Sequence, residues 1–146
     1  ELLGFTPSPL HLAVTVGSVE IVKLLLDHGI DAHALNRHEE EPAQTAAIWG
    51  HTATLDVFFK RNILPRDPFL SLASFATMGS HTETVDWLLQ RRDSVPLEPE
   101  GVQGTAMHIA AQRGDAAILE LLLQHGEDPA VVDVNGQTAL EVAADL

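Results

Sequence analysis

The sequence predicts an all-α fold, a solenoid of stacked helix-turn-helix units. Three observations carry this. First, whole phrases recur. Pro9-Leu10-His11-Leu12-Ala13 returns as Ala106-Met107-His108-Ile109-Ala110, and Glu20-Ile21-Val22-Lys23-Leu24-Leu25-Leu26-Asp27-His28-Gly29 returns as Ala117-Ile118-Leu119-Glu120-Leu121-Leu122-Leu123-Gln124-His125-Gly126, both at an offset of 97. Second, Ala13, Ala46, Ala76, Ala110 and Ala143 are spaced by 33, 30, 34 and 33 residues, a period that marks a repeat protein. Third, apolar residues within each repeat fall at helical spacing, and so short a helix pair buries its apolar face only by stacking on neighbours.

Taken in order, the units are four repeats of about 5–36, 37–66, 67–99 and 100–132 and a partial fifth at 133–146. The first helices read as 9–16, 42–49, 72–79 and 106–113, each followed by a break residue, Gly17, Gly50, Ser80 or Gly114. The second helices read as 19–28, 52–61, 82–91 and 116–125. Leu24, Val57, Trp87 and Leu121 form one expected core column, and Leu25, Phe58, Leu88 and Leu122 the next. Gly29, Asn62, Arg92 and Gly126 follow the second helices. Gly and Asn accept the left-handed conformation that ends many helices. Arg92 does so less readily, so the third repeat is expected to end differently.

Composition narrows the function classes. The 146 residues make one domain, 1–146, or a piece of a longer chain. With 45% hydrophobic and 20% charged residues, wholesale disorder is excluded. Eight Lys and Arg against 21 Asp and Glu leave a net charge of −13, which repels a phosphate backbone and an anionic membrane surface. No nucleic acid and no membrane insertion are therefore expected, and no apolar run approaches the ~20 residues that span a bilayer. The absence of Cys removes disulfides, thiol catalysis and Cys-based metal sites. The start, Glu1-Leu2-Leu3-Gly4-Phe5, lacks a signal-peptide pattern, so an intracellular, cytoplasmic setting is expected. Apolar Leu2, Leu3 and Phe5, and an end inside the first helix of repeat five, suggest a fragment, since stacked repeats need polar caps.

The motifs themselves resemble the ankyrin-repeat family. Its pattern is Gly-x-Thr-Pro-Leu-His-Leu-Ala-Ala, then Gly-His, then a Leu-rich second helix ending in Gly-Ala-Asp. Ser8-Pro9-Leu10-His11-Leu12-Ala13 through Gly29-Ile30-Asp31 is similar to it, as is Gly104-Thr105-Ala106-Met107-His108-Ile109-Ala110-Ala111 through Gly126-Glu127-Asp128. Asn135-Gly136-Gln137-Thr138-Ala139-Leu140-Glu141-Val142-Ala143 begins a fifth copy. The resemblance implies an ankyrin-repeat solenoid with hairpin loops between the helix pairs. The middle departs from the pattern. The box becomes Glu41-Pro42-Ala43-Gln44 and then Ser71-Leu72-Ala73-Ser74, and repeat three is short. In the family the box His ties neighbouring repeats. Its loss implies a middle that is least stable and most specialised, or else drift in a tolerant solenoid.

No recognisable catalytic pair or motif appears. Six of the eight His fall on repeat positions: His11 and His108 in the box, His51 and His81 after the break, His28 and His125 at the ends of second helices. His33 and His38 lie on a loop with Asp31 and Glu39-Glu40-Glu41, where a cation site is conceivable and a solvated loop is the simpler reading. Asp56 and Asp86 read as solvated outer-face acids. Lys60, Arg61, Arg66, Arg91 and Arg92 cluster in repeats two and three, where cations complement helix dipoles or form an anion patch. No catalytic, cofactor-binding or metal residue is assigned, and no cofactor is expected.

The resemblance instead implies contacts on a concave face, at the ends of first helices and at the hairpin tips. The residues so assigned are Val16, Arg37, His38, Ile48, Trp49, Leu70, Met78, Val102, Gln112 and Arg113. Trp49 is the expected anchor, its alternative being to fold onto a neighbouring helix. The expected function is a protein-interaction module that binds a peptide or folded partner, a basic one given the charge. Two alternatives stand: small-molecule binding or catalysis in a pocket of the degenerate middle repeats, and a structural spacer in a multidomain protein.

Overall fold

The computed structural model describes residues 7–66, 71–91 and 105–145. The chain divides into two compact units, Glu1–Arg66 and Asp67–Leu146. The first unit holds α1 (Pro9–Val16), α2 (Val19–Asp27), α3 (Pro42–Ile48) and α4 (Thr52–Lys60). The second holds α5 (Leu72–Met78), α6 (Thr82–Leu89), α7 (Thr105–Arg113), α8 (Ala116–Gln124) and α9 (Ala139–Ala144). Within the first unit α1 packs on α2 and α3, and α4 on α2 and α3. The second repeats the scheme, with α5 on α6 and α7, α8 on α6 and α7, and α9 on α7. First helices thus stack on first helices and second on second. The β structure among the described residues is one isolated antiparallel bridge, Val132 to Thr138.

Local chemistry fixes the helix ends. Ser8 caps α1, its Oγ accepting from the His11 backbone N–H, and Pro9 occupies the first turn, where a missing N–H costs nothing. Gly17 then turns the chain with φ 76°. At the matching break Ser80 holds φ 57°, and Asn62 ends the second pair with φ 55°. The middle boxes supply caps of their own. Glu41 and Gln44 form a reciprocal capping box on α3, and the Ser71 side chain accepts from the Ser74 N–H on α5. Every residue from Pro42 to Ala47 and from Leu72 to Thr77 is buried. The middle first helices are capped and packed despite losing the box His.

One expected core column is corrected. Leu24 is 57% exposed, Trp87 and Leu121 are half-buried, and of that column only Val57 is buried. In the other column Phe58, Leu88 and Leu122 are buried and Leu25 is half-buried. The fully buried positions one turn earlier are Val22, Leu55, Val85 and Ile118. Each second helix buries a stripe spaced by three or four residues, and the Leu24 column sits about 100° off it.

Candidate functional site

A recess lies within the first unit, where α1, α3 and the segment joining α2 to α3 meet. Its walls are set by a chain of hydrogen bonds. Ser8 Oγ lies 3.0 Å from His11 Nδ1, and His11 Nε2 lies 3.0 Å from the Glu40 carbonyl oxygen. His108 makes the equivalent reach in the second unit, with Nε2 2.8 Å from the Gln137 carbonyl. Both box His side chains are buried and hold a segment 29 residues further along.

Asn36 closes the tip that Glu40 ends. Its backbone N–H donates to the Glu40 carbonyl at 3.0 Å, and its Oδ1 accepts from the backbone N–H groups of His38 and Glu40 at 2.8 and 3.0 Å. Its Nδ2 donates to Glu40 Oε2 at 2.8 Å. Glu39 completes the turn with φ 61°. A short loop with this many internal bonds is pre-organised, so a ligand meets it without an ordering cost.

The resulting cleft has a volume of about 370 Å3. One wall is His11, Leu12 and Thr15 of α1, with Pro7 before it. Asn36, Arg37, His38 and Glu40 of the tip form the second. Thr45 and Trp49, at the end of α3, form the third. Trp49 is 53% exposed, and Leu12, opposite in sequence terms, is 54% exposed. Arg37 Nε donates to His38 Nε2 at 3.1 Å, which leaves the proton of a neutral His38 ring on Nδ1.

The cleft brings together Arg37, His38 and Trp49 of the sequence-assigned residues. Val16 is 79% exposed at the end of α1, next to Thr15 but outside the cleft lining, and Ile48 is half-buried on α3. Met78, Gln112 and Arg113 are exposed at the ends of α5 and α7 in the second unit, where Arg113 Nε donates to Ser80 Oγ at 3.3 Å. Leu70 and Val102 lie outside the described residues. Sequence reasoning missed Leu12, Asn36 and Thr45. Leu12 shares a helix face with Val16 at i, i+4 spacing, a signal that could have found it. Asn36 is a turn-forming residue at a hairpin base, legible as such from its type.

Other singled-out groups have separate duties. His33 Nδ1 pairs with Glu41 Oε2 at 2.5 Å, and Glu41 Oε1 accepts from the Arg66 backbone N–H at 2.7 Å, so His33 and His38 serve different partners. Asp56 pairs with Lys60 at 2.6 Å, while Asp86 reaches across helices to His125 Nε2 at 3.0 Å rather than facing solvent alone. Arg61 binds Asp27 at 2.7 Å, and the Arg91 guanidinium stands 3.9 Å over the Trp87 ring. Two carboxyls of the second unit are held below their ordinary range: Asp133 by the Gln137 backbone N–H, and Glu141 by the Thr138 backbone N–H.

Comparison with known proteins agrees with this architecture. A family model described as ankyrin repeats (3 copies) matches residues 2–67 and 70–146. The chain is 25% identical over 138 residues to a transient receptor potential cation channel subfamily A member 1 homolog of Caenorhabditis elegans, covering 94% of this chain and 9% of that protein. It is 26% identical over 144 residues to the nuclear factor NF-kappa-B p105 subunit of Gallus gallus, covering 94% of this chain and 15% of that protein. The chain thus spans a small part of both relatives. Among solved structures, the human ASB11 ankyrin repeat domain superposes with a TM-score of 0.77 at 25% identity, covering 95% of this chain and 63% of that one. No helix among the described residues is long and apolar enough to cross a membrane. With paired helices stacked in kind, box His11 and His108 each tying a tip 29 residues on, and family matches along almost its whole length, the chain belongs to the ankyrin-repeat family.

Proposed function

We propose that the cleft in the first unit is the binding site for a peptide or folded partner, in keeping with ankyrin repeats as protein–protein interaction modules. The observation that carries this reading is the exposed Trp49 ring in a preformed recess with Arg37 and His38. Large aromatic anchors beside arginine are the residues that dominate interface energies. The net charge of −13 favours a basic partner and hastens its encounter. Val16 and Ile48 extend the contact along the ends of α1 and α3. Met78, Gln112 and Arg113 are proposed contacts of the second unit in its own right, with Leu70 and Val102 assigned on the family pattern alone. A cytoplasmic setting belongs to the same reading.

The cleft volume lies at the low end of small-molecule pockets, which favours that alternative on size alone. Its chemistry does not favour catalysis. The hydroxyl–imidazole pair beside it, Ser8 with His11, is spent on capping α1 and on holding Glu40. A spacer role leaves the exposed Trp49 without a purpose.

The test is an affinity capture with the wild-type chain and Trp49→Ala, followed by direct binding to whatever the wild type retains. Trp49→Ala should weaken that binding by about 2 kcal/mol or more, as central aromatic anchors do, and leave the melting temperature nearly unchanged. Partners held equally by both forms would remove the cleft from the reading.

A further inference from the structure

The cleft has a chemistry more specific than an apolar groove. Trp49, half-exposed, and Glu40 both line it, and the Glu40 carboxylate is bonded to Asn36, another lining residue. That carboxylate is oriented: Asn36 Nδ2 holds Oε2 at 2.8 Å, and Asn36 also fixes the Glu40 backbone. Glu40 Oε1 has no partner among the described residues. An aromatic face with a nearby carboxylate attracts a cation, because the ring quadrupole and the anion act in the same sense. The segment that forms the tip, residues 31–41, carries Asp31, Glu39, Glu40 and Glu41 against Arg37 alone. Glu41 is spent within the fold on His33 and the Arg66 backbone N–H, which leaves Asp31, Glu39 and Glu40 against Arg37.

We infer that the Trp49–Glu40 cleft takes a lysine or arginine side chain of a basic partner, its aliphatic stem on Trp49 and Leu12 and its charged head at Glu40 Oε1. This rests on the cleft being the partner site. Long cationic side chains carry both parts needed, an apolar stem and a polar head. Arg37 is the opposing group in the same recess. Its Nε is committed to His38, and its charge repels the incoming head, which favours placement at the Glu40 side.

Two synthetic peptides test this, acetyl-Gly-Ser-Leu-Arg-Leu-Ser-Gly-amide and the same peptide with Glu at its centre. Each is titrated into the isotopically labelled chain while backbone amide and Trp49 indole signals are followed. The arginine peptide should shift Asn36 to Glu40 and Trp49, and the glutamate peptide should not. Glu40→Gln keeps a side-chain oxygen for Asn36 and the backbone carbonyl for His11, so the tip should stay folded, as its melting temperature checks. It should weaken the arginine peptide by about tenfold, the loss of one charge-assisted contact. Arg37→Gln should tighten it, and added salt should weaken it. Tighter binding of the glutamate peptide, indifference to Glu40→Gln, or no binding of either peptide would overturn the inference. If natural partners still depend on Trp49 in those cases, the cleft stands as the binding site and only the cation is wrong. If they do not, both readings fail.

Discussion

Substituting Gly17 probes one contact between the two repeats of the first unit, that with His51. Gly17 has φ 76°, and a Cβ added there meets His51 Cε1 at 2.7 Å and Nδ1 at 2.8 Å. Gly29 has φ 77° with nothing within 4 Å of the same atom. Both positions make a non-glycine residue pay for the left-handed conformation, about 1 kcal/mol. Gly17→Ala must in addition displace the His51 ring, whose Nε2 lies 3.0 Å from the Thr15 carbonyl. Losing that hydrogen bond adds about 1 kcal/mol, and the tight ring contact adds to it. Gly17→Ala should then cost about 2–3 kcal/mol and Gly29→Ala about 1 kcal/mol. In a chain of this size each kcal/mol moves the melting temperature by about 2–4 °C. Thermal unfolding followed by circular dichroism measures both variants. A double-mutant cycle with His51→Ala sharpens the result, because without the ring Gly17→Ala should fall to the Gly29 value. Equal losses at Gly17 and Gly29, or a Gly17 cost that persists without His51, would refute the reasoning.

Three further outcomes follow from particular contacts. Thr54 Oγ1 is buried without a hydrogen-bond partner among the described residues, so Thr54→Val should raise stability by about 1 kcal/mol in urea unfolding. Trp87 is half-buried under the Arg91 guanidinium, so Trp87→Ala should lower stability by less than the about 3–5 kcal/mol of a fully buried Trp, and should leave partner binding at the Trp49 cleft intact. Asp133 and Glu141 hold their carboxyls below the ordinary 3.8 and 4.5 through the backbone N–H groups of Gln137 and Thr138. Depressed folded values give support that is complete above the ordinary values and is lost as pH falls through the folded ones. Amide protection at 133–142 should therefore decline in that acid range, and Asp133→Asn with Glu141→Gln should flatten the decline.

Sequence periodicity alone determined the helix pairs and their breaks, because short helices with one apolar stripe can be satisfied in few ways. The break at Gly17 and the helix end at Asn62 were legible from residue type, since few residues accept positive φ. The Leu24 column was misjudged because an apolar run such as Leu24-Leu25-Leu26 does not say which of its members faces inward. Helix rotation is fixed by the neighbour it packs on, and Val22 with Leu25 won the core side. At the site, Arg37, His38 and Trp49 were legible as exposed positions on the family pattern. Their meeting in one cleft was not, for it depends on contacts between residues far apart in the chain. His11 reaching Glu40 across 29 residues, and Asn36 folding the tip back on itself, bring α1, the tip and α3 together. The sequence names the residues of a repeat, but Trp49 and Glu40 come to line one recess only once neighbouring repeats have packed.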